Sequence, residues 1–165
     1  MASFHIVVAR LEDQYSIDVF DRDIGTWCKF RVLSTLSAPR TTGAGESLST
    51  FPGELRSDRF LPLQPDDLLV HRGGGTLVID GVEVVQRDST FRAFRVGETY
   101  LLFLQRSDDA ARVAMHSDGA YVLSGPDAFI PIARSGSRVQ KELEELTGGS
   151  LVRFREAMKS GGYDR

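Results

Sequence analysis

The sequence predicts a mainly β fold, an antiparallel barrel or sandwich, that ends in two short helices. A glycine-marked turn at Gly97 leads into residues 99–104, a dense run of apolar, β-forming side chains. Further short runs of this kind, separated by turn residues, occupy most of the chain before it. Beyond residue 136 the apolar side chains follow a helical period, which predicts the helical ending.

The opening segments predict two strands and a longer one after them. Residues 4–9 are apolar and β-branched, and residues 15–19 alternate apolar with polar side chains. Residues 23–25 have turn chemistry, so we expect a separate strand over 26–36. Side chains along this strand alternate between the two faces of the sheet. The set predicted to face the core is Cys28, Phe30 and Val32, and the opposite set is Trp27, Lys29 and Arg31.

Residues 37–65 form a long connection that is rich in Ser, Thr, Gly and Pro and has no sustained period. A connection of this length is far above the usual range in a compact domain. We expect Phe60 and Leu61 to anchor it in part, and we expect residues 40–58 to be accessible to proteases.

The next strands are predicted from apolar runs bounded by turn residues. Residues 67–71 and 76–79 flank three glycines at 73–75, which favour a bulge or a wide turn. The Asp-Gly pair at 80–81 lies between residues 76–79 and 82–85 and is the strongest short signal for a β-hairpin.

The last predicted strands lie at residues 112–115, 120–123 and 129–132, with a Ser-Asp-Gly turn between the first two. Pro131 cannot donate a backbone hydrogen bond, so the final strand is expected at a sheet edge. The core is predicted to contain Phe30, Val32, Leu101 and Phe103.

Two helices are predicted after these strands. Ser137 and Gln140 match a capping box, which marks a helix start. Gly148 ends that helix, and Ser150 can cap a second one. We expect both helices to cover an open end or an edge of the barrel.

The chain of 165 residues suits a single domain, with the barrel in residues 1–134 and a helical extension at 137–159. Its net charge of −3 gives no reason to expect nucleic acid or an anionic membrane as a general partner. No apolar run approaches the roughly 20 residues that span a bilayer, so membrane insertion is not expected.

Cys28 is the only cysteine, so an intrachain disulfide is impossible, and we expect it to be a small buried apolar residue. The N-terminal residues lack the basic region and the long apolar core of a signal peptide. Two interpretations stay open: a cytoplasmic protein, or a secreted one whose leader is not part of this chain.

Catalytic, cofactor and metal motifs are not found in the sequence. His5, His71 and His116 lack the spacing of a metal site, and the nucleophile elbow of serine hydrolases does not occur. The acidic pairs at 66–67 and 108–109 lie in polar contexts, where solvated charge is expected. No catalytic, cofactor-binding or metal-binding residue is therefore assigned.

Trp27, Lys29 and Arg31 form the candidate binding surface. An aromatic ring beside basic side chains is typical of barrel walls that stack on nucleobases or sugars. The alternative is structural: Trp27 packs beneath the C-terminal helices, and the two cations are solvated.

Four segments of the predicted strands and turns stand out in order along the chain: FRVL (30–33), VHRGGG (70–75), FRVGETYLLFL (94–104) and YVLSGP (121–126). Their order resembles bacterial secreted and cell-envelope barrel domains related to the netrin-like, TIMP-like variety of OB-fold. The resemblance implies an OB-like β-barrel in a periplasmic or secreted protein. Metalloproteinase inhibitors of this fold act through an N-terminal cysteine, which this chain lacks, so that mechanism is not carried over.

The leading functional hypothesis is a non-enzymatic binding or interaction module of the bacterial cell envelope, with a protein or glycan partner. The first alternative is an OB-type binder of single-stranded nucleic acid, against which the negative charge and the single tryptophan count. The second is a hydrolase whose site is built from scattered residues, which nothing in the sequence selects.

Overall fold

The computed structural model describes residues 5–19, 23–37, 60, 62–89, 92–106, 111–113, 116–133 and 136–160. Within these ranges the strands are β1 His5–Val19, β2 Asp23–Ser37, β3 Asp67–Gly73, β4 Gly75–Ile79, β5 Val82–Gln86, β6 Thr99–Arg106, β7 Ala111–Val113, β8 Ala120–Ser124 and β9 Ala128–Pro131. The helices are α1 Arg138–Thr147 and α2 Leu151–Lys159, and a short 3₁₀ helix, His116–Gly119, precedes β8. A mainly β fold with two C-terminal helices is thereby confirmed.

Seven strands form one sheet in the order β1-β2-β3-β7-β6-β8-β9, and β1 also pairs with β6. The pairing of β3 with β7 is parallel, and the other pairings in this sheet are antiparallel. Strands β4 and β5 form a separate antiparallel hairpin. Strand β6 therefore has β1 along one edge and both β7 and β8 along the other.

Strands β1 and β2 form a longer ribbon than the sequence predicts. Residues 5–19 are one strand, and the predicted turn at 23–25 is wrong because Ile24 and Gly25 pair with β1. Three shifts in register interrupt the β1–β2 pairing. Bulges of this kind break the alternation of side chains, so one continuous strand has the sequence pattern of two.

The apolar side chains of β6 divide the core into two clusters, one on each face. Tyr100, Leu102 and Leu104 belong to the inner cluster, where Phe30 is also fully buried. Leu101 and Phe103 belong to the outer cluster, beneath the helices. The sequence correctly predicts that these residues are apolar core, but it places Phe30 and Phe103 in one core when they lie on opposite faces.

Three aromatic rings form the centre of the inner cluster. The centroid of Phe94 lies 5.2 Å from that of Phe30 and 4.8 Å from that of Tyr100, both in edge-to-face geometry. The Tyr100 hydroxyl donates to Glu98 Oε2 at 2.7 Å and accepts from the backbone N–H of Arg95 at 2.8 Å. Burial raises the pKa of Tyr100, so the hydroxyl keeps the proton that it donates. These bonds attach the turn before β6 to the core.

The helices begin where their capping residues predict, and they pack on the outer face of the sheet. Ser137 and Gln140 form the capping box of α1, and Gly148 ends that helix with a φ of 60°. Ser150 caps α2 and donates to Asp127 Oδ2 at 2.8 Å. Hydrogen bonds from Val152 and Ser150 hold the pKa of Asp127 below its usual value. The turn between the helices is thus attached to the β8–β9 connection.

Strand β9 lies at the end of the sheet order, as the position of Pro131 predicts. The inter-helix turn approaches this edge, since Phe129 N donates to Gly149 O at 2.9 Å and Ser150 forms an isolated bridge with Ala128. Phe60 of the long connection is buried, whereas Leu61 and residues 40–58 lie outside the described residues.

Substituting Phe30 with alanine should lower the free energy of unfolding by about 3–5 kcal/mol, because it leaves a cavity among fully buried rings. Chemical denaturation measures this change. The matched control is Val78→Ala on the hairpin, where the side chain is 70% exposed and the expected change is within about 0.5 kcal/mol. A loss below about 1 kcal/mol for Phe30→Ala would contradict its place in the core.

Candidate functional site

Trp27, Lys29 and Arg31 share the outer face of β2, as the alternation of the strand predicts. Trp27 is only 6% exposed and packs with Phe60 and Leu69. Its ring centroid lies 5.0 Å from that of His71 on the neighbouring strand. The side chain is therefore covered in part by Phe60, and the C-terminal helices belong to a different cluster.

Lys29 and Arg31 share two carboxylates. Lys29 Nζ lies 3.3 Å from Asp67 Oδ2 and 3.6 Å from Glu12 Oε2. Arg31 Nη2 lies 3.1 Å from Asp67 Oδ1, and its Nε lies 3.5 Å from Glu12 Oε1. Two cations thus face two anions, and the basic pair has no excess positive charge with which to attract a phosphate backbone.

Asp67 is the centre of this charge cluster. Its side chain is fully buried, and Oδ2 accepts a hydrogen bond from the backbone N–H of Gln64 at 2.9 Å. The contact of Oδ1 with Arg31 is an ion pair whose atoms are not aligned as a hydrogen bond. The expectation that the acidic pair at 66–67 is solvated is wrong for Asp67, because β3 directs this carboxylate toward the two cations of β2.

No pattern in the sequence marks Glu12 or Asp67 as partners of the basic pair. Both lie on strands that neighbour β2, at positions set by the pairing register. Asp67 pairs with Arg31 in that register, whereas a bulge at residues 11–13 sets the position of Glu12. No local motif carries this information. Ligand binding by Trp27, Lys29 and Arg31 stays a prediction.

The β4–β5 hairpin is a second candidate surface, which the sequence predicts only as a hairpin. Asp80 and Gly81 both have positive φ, 50° and 79°, which is the turn predicted for an Asp-Gly hairpin. Paired residues share a face, so one face carries four aliphatic side chains. These are Leu77, Ile79, Val82 and Val84. The exposed fractions of three of them are 45% for Ile79, 63% for Val82 and 39% for Val84.

Polar contacts attach the base of the hairpin to β1 and β2. Thr26 Oγ1 donates to Gly74 O at 2.6 Å, and Thr76 N donates to Ser16 Oγ at 3.1 Å. A Cβ at Gly75 would overlap both the Ser16 and the Thr26 hydroxyls, so only glycine permits this close approach. None of these contacts at the base involves the aliphatic side chains nearer the tip of the hairpin.

Cys28 lies in the inner cluster. Burial raises the pKa of its thiol to about 12, so it stays protonated near neutral pH and lacks the thiolate that a nucleophile requires. The described residues contain no group of three or more His, Cys, Asp and Glu side chains that could hold a metal ion. In the same part of the chain, no helix is long and apolar enough to cross a membrane.

Comparison with protein-family models, with curated proteins and with solved structures found no significant match.

Trp27 is the only tryptophan, so its fluorescence reports on this surface directly. We expect a blue-shifted emission that acrylamide quenches weakly, because the indole is buried beneath Phe60. The control variant Phe60→Ala should shift the emission to the red by opening one side of the ring. An emission maximum in the native wild type equal to that of the unfolded chain would contradict the burial.

Replacing Asp67 with asparagine should lower the free energy of unfolding by about 1–3 kcal/mol, because it removes the buried anion between two cations. Glu12→Gln is the matched control, since the Glu12 side chain is 35% exposed and its pairs are worth less than about 1 kcal/mol. Urea denaturation of the two variants gives the comparison. Equal losses of unfolding free energy in the two variants would show that burial does not increase the contribution of Asp67 to stability.

Proposed function

We propose that the seven-stranded sheet closes into an OB-like barrel. The pairing of β1 with both β2 and β6 supports closure, because it joins the two sides of the strand order. The parallel pairing of β3 with β7, through Val70 and Ala111, supports it as well. Strands β1, β2, β3, β7 and β6 would then form a five-stranded ring, the number of strands in an OB-fold.

On this framework we propose that the protein is a non-enzymatic binding module whose partner is another protein. The observation that carries the proposal is the exposed aliphatic surface of the β4–β5 hairpin. A two-stranded hairpin by itself is marginally stable in water, and clustered exposed apolar side chains mark interaction surfaces. Among the described residues β5 pairs only with β4, so no described strand occupies its outer edge, and a partner strand could be added there.

The chemistry of the hairpin favours an extended apolar segment of the partner over other ligands. Strand β5 carries one charged residue, Glu83, and neither the lysine nor the proline that natural sheets use to protect an edge. A strand added there would gain backbone hydrogen bonds and contacts with Val82 and Val84.

Glycan and nucleic-acid partners have weaker support. The hairpin surface is aliphatic and carries no aromatic ring, and aromatic rings are the side chains on which bases stack. Trp27, the only tryptophan, is buried, and the cations beside it are paired with carboxylates. The resemblance to cell-envelope barrel domains supports an envelope protein as the partner.

Site-specific photo-crosslinking tests the proposal. A photoreactive amino acid at position 82 should capture a distinct protein in the cell of origin, and the same group at Val96 should not. Val96 is the matched control because it is 56% exposed and lies outside the hairpin. The captured protein is then purified, and its affinity is measured by titration.

We expect Val82→Lys to weaken that purified complex at least tenfold, about 1.4 kcal/mol, because it places a charge in the apolar contact. The unfolding free energy of Val82→Lys should stay within about 0.5 kcal/mol of wild type, since the residue is exposed. A glycan array and single-stranded oligonucleotides are assayed in parallel. If a glycan or an oligonucleotide binds, and Val82→Lys binds it with the same affinity as wild type, the protein-partner proposal is contradicted.

A further inference from the structure

A groove lies between α1 and the outer face of the sheet, away from the elements of the hairpin. Its floor is apolar and consists of Phe103 from β6, Tyr121 from β8 and Leu143 from α1, which are all buried. The rim is aliphatic: Val139 and Leu146 on α1 are 38% and 54% exposed. Helix α1 thus leaves part of its apolar stripe uncovered beside the floor.

The size of the groove determines what kind of occupant it can take. Its volume is about 180 Å³. Sites for metabolites and drug-sized ligands have volumes of roughly 300–1,000 Å³, whereas an apolar cavity of about 150 Å³ holds a benzene molecule. The groove is therefore large enough for one aromatic or aliphatic side chain and too small for most free metabolites.

The charge of the groove adds a second requirement. The two charged side chains in its lining, Asp118 and Glu142, are both carboxylates. Glu142 is paired with Arg138 at 2.7 Å on the solvent side of α1. Asp118 makes no hydrogen bond or ion pair with the other described residues, so its charge is available to a ligand. The groove thus combines an apolar floor and an aliphatic rim with two carboxylates.

We propose that this groove binds a partner polypeptide through an apolar anchor residue that is adjacent to a lysine or arginine. The anchor side chain fills the floor between Phe103, Tyr121 and Leu143, and the neighbouring cation pairs with Asp118. Tryptophan, tyrosine and arginine are the residue types most enriched among those that dominate the energetics of protein interfaces. This site goes beyond the hairpin contact, shares none of its residues and can be tested without knowing the hairpin's partner.

The test uses three blocked tetrapeptides as probes, with the central pairs Phe-Lys, Phe-Glu and Ser-Lys between glycines. They are titrated into the full chain, and binding is followed by chemical-shift changes of backbone amides. We expect the Phe-Lys peptide to bind with millimolar affinity and to shift amides of α1 and β8. The Phe-Glu and Ser-Lys peptides should bind more weakly, because one lacks the cation and the other lacks the anchor.

Variants separate the two parts of the proposal. Asp118→Asn should weaken binding of the Phe-Lys peptide by about two- to fivefold, the effect of a partly exposed ion pair. Leu146→Ser, at the exposed rim, should weaken the Phe-Lys and Phe-Glu peptides alike. The matched control is Glu145→Gln, which removes a carboxylate from α1 outside the groove and should leave both affinities unchanged.

Three results would overturn the proposal: no shifts with any peptide, equal binding of the Phe-Lys and Phe-Glu peptides, or equal effects of Asp118→Asn and Glu145→Gln. Near-UV circular dichroism confirms that each variant is folded. Because no hairpin residue is altered, failure here leaves the hairpin proposal standing, and failure at the hairpin leaves this one standing.

Discussion

The burial of β6 on both faces is the constraint on which the rest of the structure depends. Tyr100, Leu102 and Leu104 enter the inner cluster, and Leu101 and Phe103 enter the outer one. An antiparallel strand that is apolar on both sides needs two covering layers, because either exposed face would leave large side chains in water. The strands β1 to β3 supply one cover, and the two C-terminal helices supply the other.

Polar contacts add to the attachments that these two clusters make between the elements. Asp67 balances two cations on the outer face of β2, and Ser150 with Asp127 attaches the helices to the β8–β9 connection. The hairpin is attached by hydrogen bonds from Thr26 and to Ser16. Because the attachment is polar, the aliphatic side chains of the hairpin remain outside the core. The apolar surface that supports the proposed function is thus a consequence of how the hairpin is anchored.

The two proposed contacts differ in shape and in charge. The hairpin offers the outer edge of β5 with aliphatic side chains, whereas the groove beside α1 would take one side chain and carries Asp118, which pairs with no other described side chain. A partner that engaged both surfaces would gain from effective concentration, since the second contact becomes intramolecular once the first has formed. In the charge cluster around Lys29 and Arg31 the two cations are matched by two carboxylates. This balance suits the cluster to holding β1, β2 and β3 in register more than to binding a charged ligand.

Features that rest on local chemistry can be predicted from the sequence. The capping box at Ser137, the Asp-Gly turn of the hairpin and the alternating faces of β2 follow from neighbouring residues, and all three are found in the structure. Long-range packing determines that Trp27 lies under Phe60 and that Asp67 faces Lys29 and Arg31. It also determines that Phe30 of β2 and Phe103 of β6 belong to different core clusters. These outcomes depend on strand register and on bulges, which bring together residues distant in the chain. A pattern of period two specifies which side chains share a face, but it does not specify what covers that face.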